Sequence, residues 1–126
     1  MVISPWSDLT ATGQTYFLNE DKDPLLRGKY LKRLADSYVG DDSPLNPYIS
    51  PAFASYDEKF PPTLIQAGSD EILLDDSKLL FEAMKSGGTD VELEIYSKMW
   101  HVFHIWQIEE ADKAITAIDE FIKRKV

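Results

Sequence analysis

Thr63-Leu64-Ile65-Gln66-Ala67-Gly68-Ser69-Asp70, continued by Asp75-Asp76-Ser77, Gly87-Gly88, Val91-Glu92-Leu93-Glu94-Ile95-Tyr96 and Met99-Trp100-His101, carries the fold of this chain. Thr63 to Ala67 is a short apolar run of β-prone residues ending at a glycine, the pattern of a strand buried in a sheet. A helix should follow: Asp75, Asp76 and Ser77 offer N-terminal caps and favourable charge. Leu79, Leu80, Ala83 and Met84 recur at helical spacing, and Gly87-Gly88 supplies the stop. Val91 to Tyr96 alternates strictly, as a strand near a sheet's edge does. Beyond His101, a face made of Ile108, Ala111, Ile115, Ile118 and Ile122 predicts a terminal helix. Strands alternating with helices of this length imply a parallel sheet with right-handed crossovers, so the expected class is α/β.

Ahead of this β-α-β-α unit, which takes residues 61–126, the sequence is less regular. Val2-Ile3-Ser4 reads as a strand stopped by Pro5, and residues 7–26 show no strong period. Leu31, Leu34, Ala35 and Tyr38 predict a helix ended by Gly40. From Asp41 onward Pro44, Pro47, Pro51, Pro61 and Pro62 exclude regular structure, and Tyr48, Phe53, Tyr56 and Phe60 predict an ordered loop anchored by aromatics.

Composition narrows the function. A chain of 126 residues has room for one domain, and its 44% hydrophobic residues suffice for a core. Thirteen Lys and Arg against 22 Asp and Glu give a formal charge of −9, which disfavours nucleic acid and anionic membrane as partners. The one basic cluster, Lys123-Arg124-Lys125, suits the negative end of a helix dipole. With no cysteine there is no disulfide, thiolate nucleophile or Cys-based metal site. No apolar run is long enough for a membrane span and no signal-peptide pattern opens the chain, so a soluble, cytoplasmic protein is expected.

The topology then brings chemistry together. A strand of six residues advances about 20 Å and a helix of twelve returns about 18 Å, so Asp70 and His101 share the sheet edge at the carboxyl ends of the strands. Open α/β proteins place their sites there. A carboxylate beside a histidine accepts the Nδ1 proton and leaves Nε2 free as a general base, two-thirds of a hydrolytic triad.

Gly68-Ser69-Asp70-Glu71-Ile72-Leu73-Leu74-Asp75-Asp76-Ser77 and Met99-Trp100-His101-Val102-Phe103 resemble the C-terminal segment of the hormone-sensitive-lipase-like branch of the α/β-hydrolase fold. Val2-Ile3-Ser4-Pro5-Trp6-Ser7-Asp8-Leu9 is similar to that family's sixth strand and its exit. Lys22-Asp23-Pro24-Leu25-Leu26 is similar to its cap insertion, and Pro61-Pro62-Thr63-Leu64-Ile65 to the entry of its seventh strand. The resemblance implies that residues 1–126 form the C-terminal portion of one α/β-hydrolase domain, with a cap insertion over about residues 10–46. It implies a carboxylic-ester hydrolase of Ser-Asp-His type, with Asp70 as triad acid and His101 as triad histidine, in the expected chain order. Tyr16, Phe17, Leu25 and Leu26 are then candidates for lining a pocket for a small hydrophobic ester, and Trp100 for an aromatic wall that excludes water. No cofactor is implied.

No Gly-x-Ser-x-Gly elbow and no His-Gly-Gly oxyanion motif occur in the sequence, so it contains no nucleophile, and Ser69, beside the acid, does not qualify. The isolated chain is expected to be nearly inert, supplying acid, base and part of a lid to a larger hydrolase. The competing reading is a non-catalytic α/β interaction module. In either case an open sheet edge should be covered by the missing N-terminal part or by self-association. His101 and His104 with Glu109 or Glu110 fall short of a zinc ligand set, and no metal is expected. Asp75 and Asp76 are explained as helix caps, and Trp6, Trp100 and Trp106 as core or pocket wall.

Overall fold

A computed structural model describes residues 1–125. Three parallel strands form one sheet in the spatial order β1 (Val2–Ile3), β2 (Thr63–Gly68), β3 (Val91–Tyr96). Val2 is in register with Ile65, and Thr63 to Gly68 run beside Val91 to Tyr96. Between β1 and β2 lie a single turn, α1 (Thr15–Leu18), and a three-turn helix, α2 (Gly28–Val39); α3 (Leu74–Ser86) crosses from β2 to β3, and α4 (Glu109–Lys125) follows β3. The class is the α/β arrangement that the sequence predicts.

Every residue of β2 is buried, as befits a strand covered on both faces, whereas β3 is half-buried at the sheet's edge. Pro61 and Pro62 have no amide hydrogen, so the ladder starts at Thr63, whose N–H donates to the Asp90 carbonyl at 2.9 Å. Leu80 and Met84 of α3 pack on Ile65, with Val2, Tyr56, Val91 and Leu93 around them. The helix ends at Gly87-Gly88, where Gly88 takes φ +89°, a conformation that other residues adopt only under strain.

The acidic pair at the start of α3 works differently from the sequence expectation. The residue at the cap position is Leu73, with no side-chain capping bond. Asp76 is buried and turned away from its own helix end; its Oδ2 accepts the N–H groups of Ser7 at 3.0 Å and Asp8 at 2.8 Å. Asp75 Oδ2 accepts the N–H of Thr15 at 3.0 Å. Both carboxylates therefore cap segments from the front of the chain, although their charge still lies in the favourable first turn.

Two further expectations are corrected. The buried stripe of α4 is Ala111, Ala114 and Phe121, while Ile115 and Ile122 are 51% and 48% exposed. Alanine lets the helix approach β2 closely enough for Gln66 Nε2 to donate to the Ala114 carbonyl at 3.0 Å. In the proline-rich loop Tyr56 anchors, its hydroxyl donating to the Pro51 carbonyl at 2.8 Å and its ring meeting Phe60 edge-on at 5.0 Å. Tyr48 does not anchor; it is 94% exposed. Of the basic C-terminal residues, Arg124 pairs with Glu92 of β3, Lys125 with Asp90 just before that strand, and Lys123 with Asp119 of its own helix. None of the described helices is long and apolar enough to cross a membrane.

Candidate active site

Three strand ends converge on one edge. Beyond β2, the N–H of Ser69 donates to the Tyr96 carbonyl at 2.9 Å and that of Asp70 to the Met99 carbonyl at 2.9 Å. The loop bearing Asp70 thus lies against the loop bearing His101. Gly68 permits this approach, since a Cβ there would stand 2.1 Å from the Met99 carbonyl oxygen. The histidine loop is tightly wound: Lys98 and Val102 take φ +61° and +45°, and a β-branched residue in that region is strained. The end of β1 reaches the same place, because the N–H of Val102 donates to Ser4 Oγ at 3.1 Å.

Beneath this junction sits Glu71, fully buried and in no ion pair among the described residues. Its Oε2 accepts the Ser4 hydroxyl at 2.7 Å and the Gly68 N–H at 3.0 Å. Burial pushes its carboxyl up to about 7, against the lowering effect of those two bonds, and nearby Asp23 adds to the rise.

Asp70 and His101 are both partly buried, and their loops touch, yet their side chains are not hydrogen-bonded to each other. Asp70 Oδ1 takes the Ser69 hydroxyl at 3.0 Å, and Ser69 Oγ in turn accepts the Lys98 N–H at 2.7 Å. The Ser69 hydroxyl is committed to that pair of bonds. His101 Nδ1 is buried with no hydrogen-bond partner. Burial holds the imidazole below its ordinary pKa, partly offset by the charge of Asp23. The ring is therefore neutral at pH 7, the state a general base requires.

The turn after His101 is fastened to the sheet. His104 Nε2 meets Gln66 Oε1 at 3.0 Å; because the Gln66 amide donates to Glu94 at 2.7 Å, its oxygen is the acceptor and His104 carries the proton on Nε2. Tyr96 donates to the same Glu94 at 2.9 Å. Gln66 interrupts an apolar strand run, which is the only sequence sign of this network; Ser4 and Glu71 carry no comparable sign. From the front, Asn19 Nδ2 donates to the carbonyls of Ser69 at 3.1 Å and Glu71 at 2.9 Å, and Asp23 Oδ2 accepts the Ile72 N–H at 3.1 Å.

The pocket candidates are dispersed. Tyr16 is buried against Leu31, Ile72 and Leu73, with Leu26 packed on that cluster. Phe17 is 91% exposed, and it and Tyr16 line a cleft of about 390 Å³ together with Ala11, Glu20, Gly28, Lys29 and Lys32. Leu25 is exposed and, like Leu26 and Trp100, is not part of that lining. Trp100 packs on Met99 and Phe103 and meets Trp106 edge-on at 6.0 Å. Among the described residues no group of three His, Asp or Glu is arranged to hold a metal.

Comparison with known proteins agrees with this architecture. Residues 1–105 match the family described as alpha/beta hydrolase fold. An acetyl-hydrolase of Streptomyces hygroscopicus is 35% identical over 123 residues, and an esterase of Acinetobacter venetianus 38% identical over 125; each alignment covers 96% of this chain and 41% of the relative. The chain thus spans about two-fifths of these relatives' length. Among solved structures, the esterase EstE5 soaked with p-nitrophenyl butyrate superposes with a TM-score of 0.90 at 36% identity, covering 98% of this chain and 42% of that one. A hormone-sensitive lipase from a metagenome library gives 0.90 at 35% identity, covering 98% and 44%. With three parallel strands, flanking helices and these relatives, the chain belongs to the α/β-hydrolase fold family, in its hormone-sensitive-lipase-like branch of esterases.

Proposed function

We propose that this chain is the acid- and base-bearing part of a carboxylic-ester hydrolase of the Ser-Asp-His type, acting on a small hydrophobic ester. The observation that supports it most is His101 Nδ1, a buried ring nitrogen without a partner, on a loop whose Met99 carbonyl already holds the Asp70 N–H at 2.9 Å. A buried unpaired donor costs about 1–3 kcal/mol, and a turn of the Asp70 carboxylate away from the Ser69 hydroxyl would let it accept from this nitrogen and fix the tautomer in the working enzyme.

In the reaction, a serine from outside these 126 residues attacks the ester carbonyl carbon as His101 Nε2 takes its proton. Asp70 stabilises the resulting imidazolium, and N–H groups outside this sequence hold the oxyanion. His101 then returns the proton to the departing alcohol, and water, deprotonated by the same ring, releases the acid from the acyl-enzyme. Residues 10–46 act as part of a lid, and the cleft at Tyr16 and Phe17 is the part of the acyl site that this chain contributes. β1 has a strand partner on one side only among the described residues, and its free edge is covered by the rest of the hydrolase or by a second copy.

Hydrolysis of p-nitrophenyl butyrate tests this reading. The 126-residue chain alone should run at the buffer rate. Joined in frame to a front portion carrying a nucleophile elbow, it should turn over, and His101→Ala should then cost about 10⁴-fold or more in kcat with little change in KM. Unimpaired turnover in His101→Ala sinks the assignment.

A further inference from the structure

The loop that carries Asp70 is gripped from two sides. From below, the end of β3 takes the N–H of Ser69 and the histidine loop that of Asp70. From the front segment, the single amide nitrogen of Asn19 reaches the two carbonyls that flank Asp70, Ser69 at 3.1 Å and Glu71 at 2.9 Å. Asn19 is buried, so both bonds are shielded from competing water. An amide nitrogen has two hydrogens and spends both here; its oxygen accepts the Lys22 ammonium at 3.1 Å. One plane thereby sets the spacing between the Ser69–Asp70 peptide and the Glu71–Ile72 peptide, which bracket the acid. The same stretch is moored one residue further along, where Thr15 Oγ1 donates to the Ile72 carbonyl at 2.7 Å and Asp23 Oδ2 accepts the Ile72 N–H.

We infer that Asn19 is a positioning residue for the acid: it brackets Asp70 from the front segment and aims its carboxylate at His101, so that the placement of the lid-side chain and the basicity of the histidine are coupled. The inference rests on the reading of Asp70 and His101 as acid and base. It follows from what each contact can do. Thr15 and Asp23 hold the segment at Ile72, past the acid, whereas among these three only Asn19 also reaches the Ser69–Asp70 peptide, to which the acid itself belongs. Positioning to within a fraction of an ångström decides whether a carboxylate stabilises an imidazolium, and supporting hydrogen bonds supply that precision.

The chain has only two histidines, so the ring proton of His101 can be followed by NMR through a pH titration of the intact 126-residue protein. The charged group that acts on His101 in the structure is Asp23, and for that reason Asp23 is left unaltered. Asp70→Asn should lower the His101 midpoint by about half a unit or more. Asn19→Ala and Asn19→Ser should lower it in the same direction although neither removes a charge, and the double variant Asp70→Asn with Asn19→Ala should move it no further than Asp70→Asn alone. Thr15→Val, which loosens the same segment beyond the acid, should reduce thermal stability and leave the midpoint in place.

A midpoint that shifts in Asp70→Asn but not in the Asn19 variants makes Asn19 a mooring only and overturns the inference. A shift in Thr15→Val as large as in Asn19→Ala overturns it as well, since segment docking in general would then be the cause. No shift in Asp70→Asn removes the acid-base reading itself, and with it this inference. Where the Asn19 variants do not fold, the wild-type protein decides: the Asn19 side-chain amide protons should exchange with solvent at least about tenfold more slowly than those of Asn46, and equal rates overturn the clamp.

Discussion

Glu71 and Asp76 each place a carboxyl in the interior, in no ion pair among the described residues, and this fixes the direction of a pH effect. Burial raises both to about 7. For Asp76 the N–H groups of Asp8 and Ser7 oppose that rise and the Asp8 charge adds to it. In the unfolded chain they titrate near 4.5 and 3.8, so between roughly pH 4 and 7 the native state holds more protons than the unfolded one. Their contribution to stability is fully present below pH 4 and is lost as pH rises through 7. Urea midpoints should therefore fall from pH 5 to pH 8, and Glu71→Gln, which keeps an acceptor for Ser4 and Gly68, should flatten the decline; an unchanged slope would show that the carboxyl is not protonated at pH 5. At this scale the sequence was informative only where a residue stood in a word. Asp70 and His101 were expected at one sheet edge because each follows a strand at a fixed remove, and their loops do lie together there. Asn19, Ser4 and Gln66 take their meaning from partners far along the chain, and an isolated polar residue in sequence says nothing of a partner.

Helices and strands of the second half were legible almost to their ends, since β2, α3 and β3 have strong periods and glycine or proline at their limits. α1 was not, because a single turn has no period to detect. α4 shows a subtler failure: the predicted face packs at Ile108 and Ala111, but at Ile115 and Ile122 it faces solvent, because the buried stripe continues through Ala114 and Phe121 instead. Ile115→Lys and Ile122→Glu should accordingly leave the thermal midpoint of the isolated chain within the change expected of about 0.5 kcal/mol. Ala114→Leu should cost about 1–3 kcal/mol, as it forces α4 away from β2 and stretches the Gln66 bond to the Ala114 carbonyl. Calorimetry on the three variants separates the faces, and a larger loss at Ile115 than at Ala114 would mean that the stripe is misplaced.

For the whole molecule the governing fact is that β1 is paired on one side, while the chain spans about two-fifths of its relatives. An unpaired strand edge offers free N–H and C=O groups with which another chain could pair. Light scattering behind size exclusion should give a mass above the 14.4 kDa of one chain, rising with concentration; a monomer at high concentration would show that the edge stays open. Fold class was readable at this scale because periodicity alone specifies an alternating α/β series. The cleft was legible only at Tyr16 and Phe17, since Ala11, Gly28, Lys29 and Lys32 join them in its lining only through the path of the chain between β1 and β2.

That path also sets an order of assembly. β2, α3 and β3 follow one another closely and join by short connections, so their contacts close small loops and form early. Val2 must wait to find Ile65, and its two-residue ladder cannot stand until the intervening chain has collapsed around Asp76, Asn19 and Asp23. The loop bearing Asp70 thus forms with the second half of the chain, which folds early, and receives its final shape from the first half, which docks last.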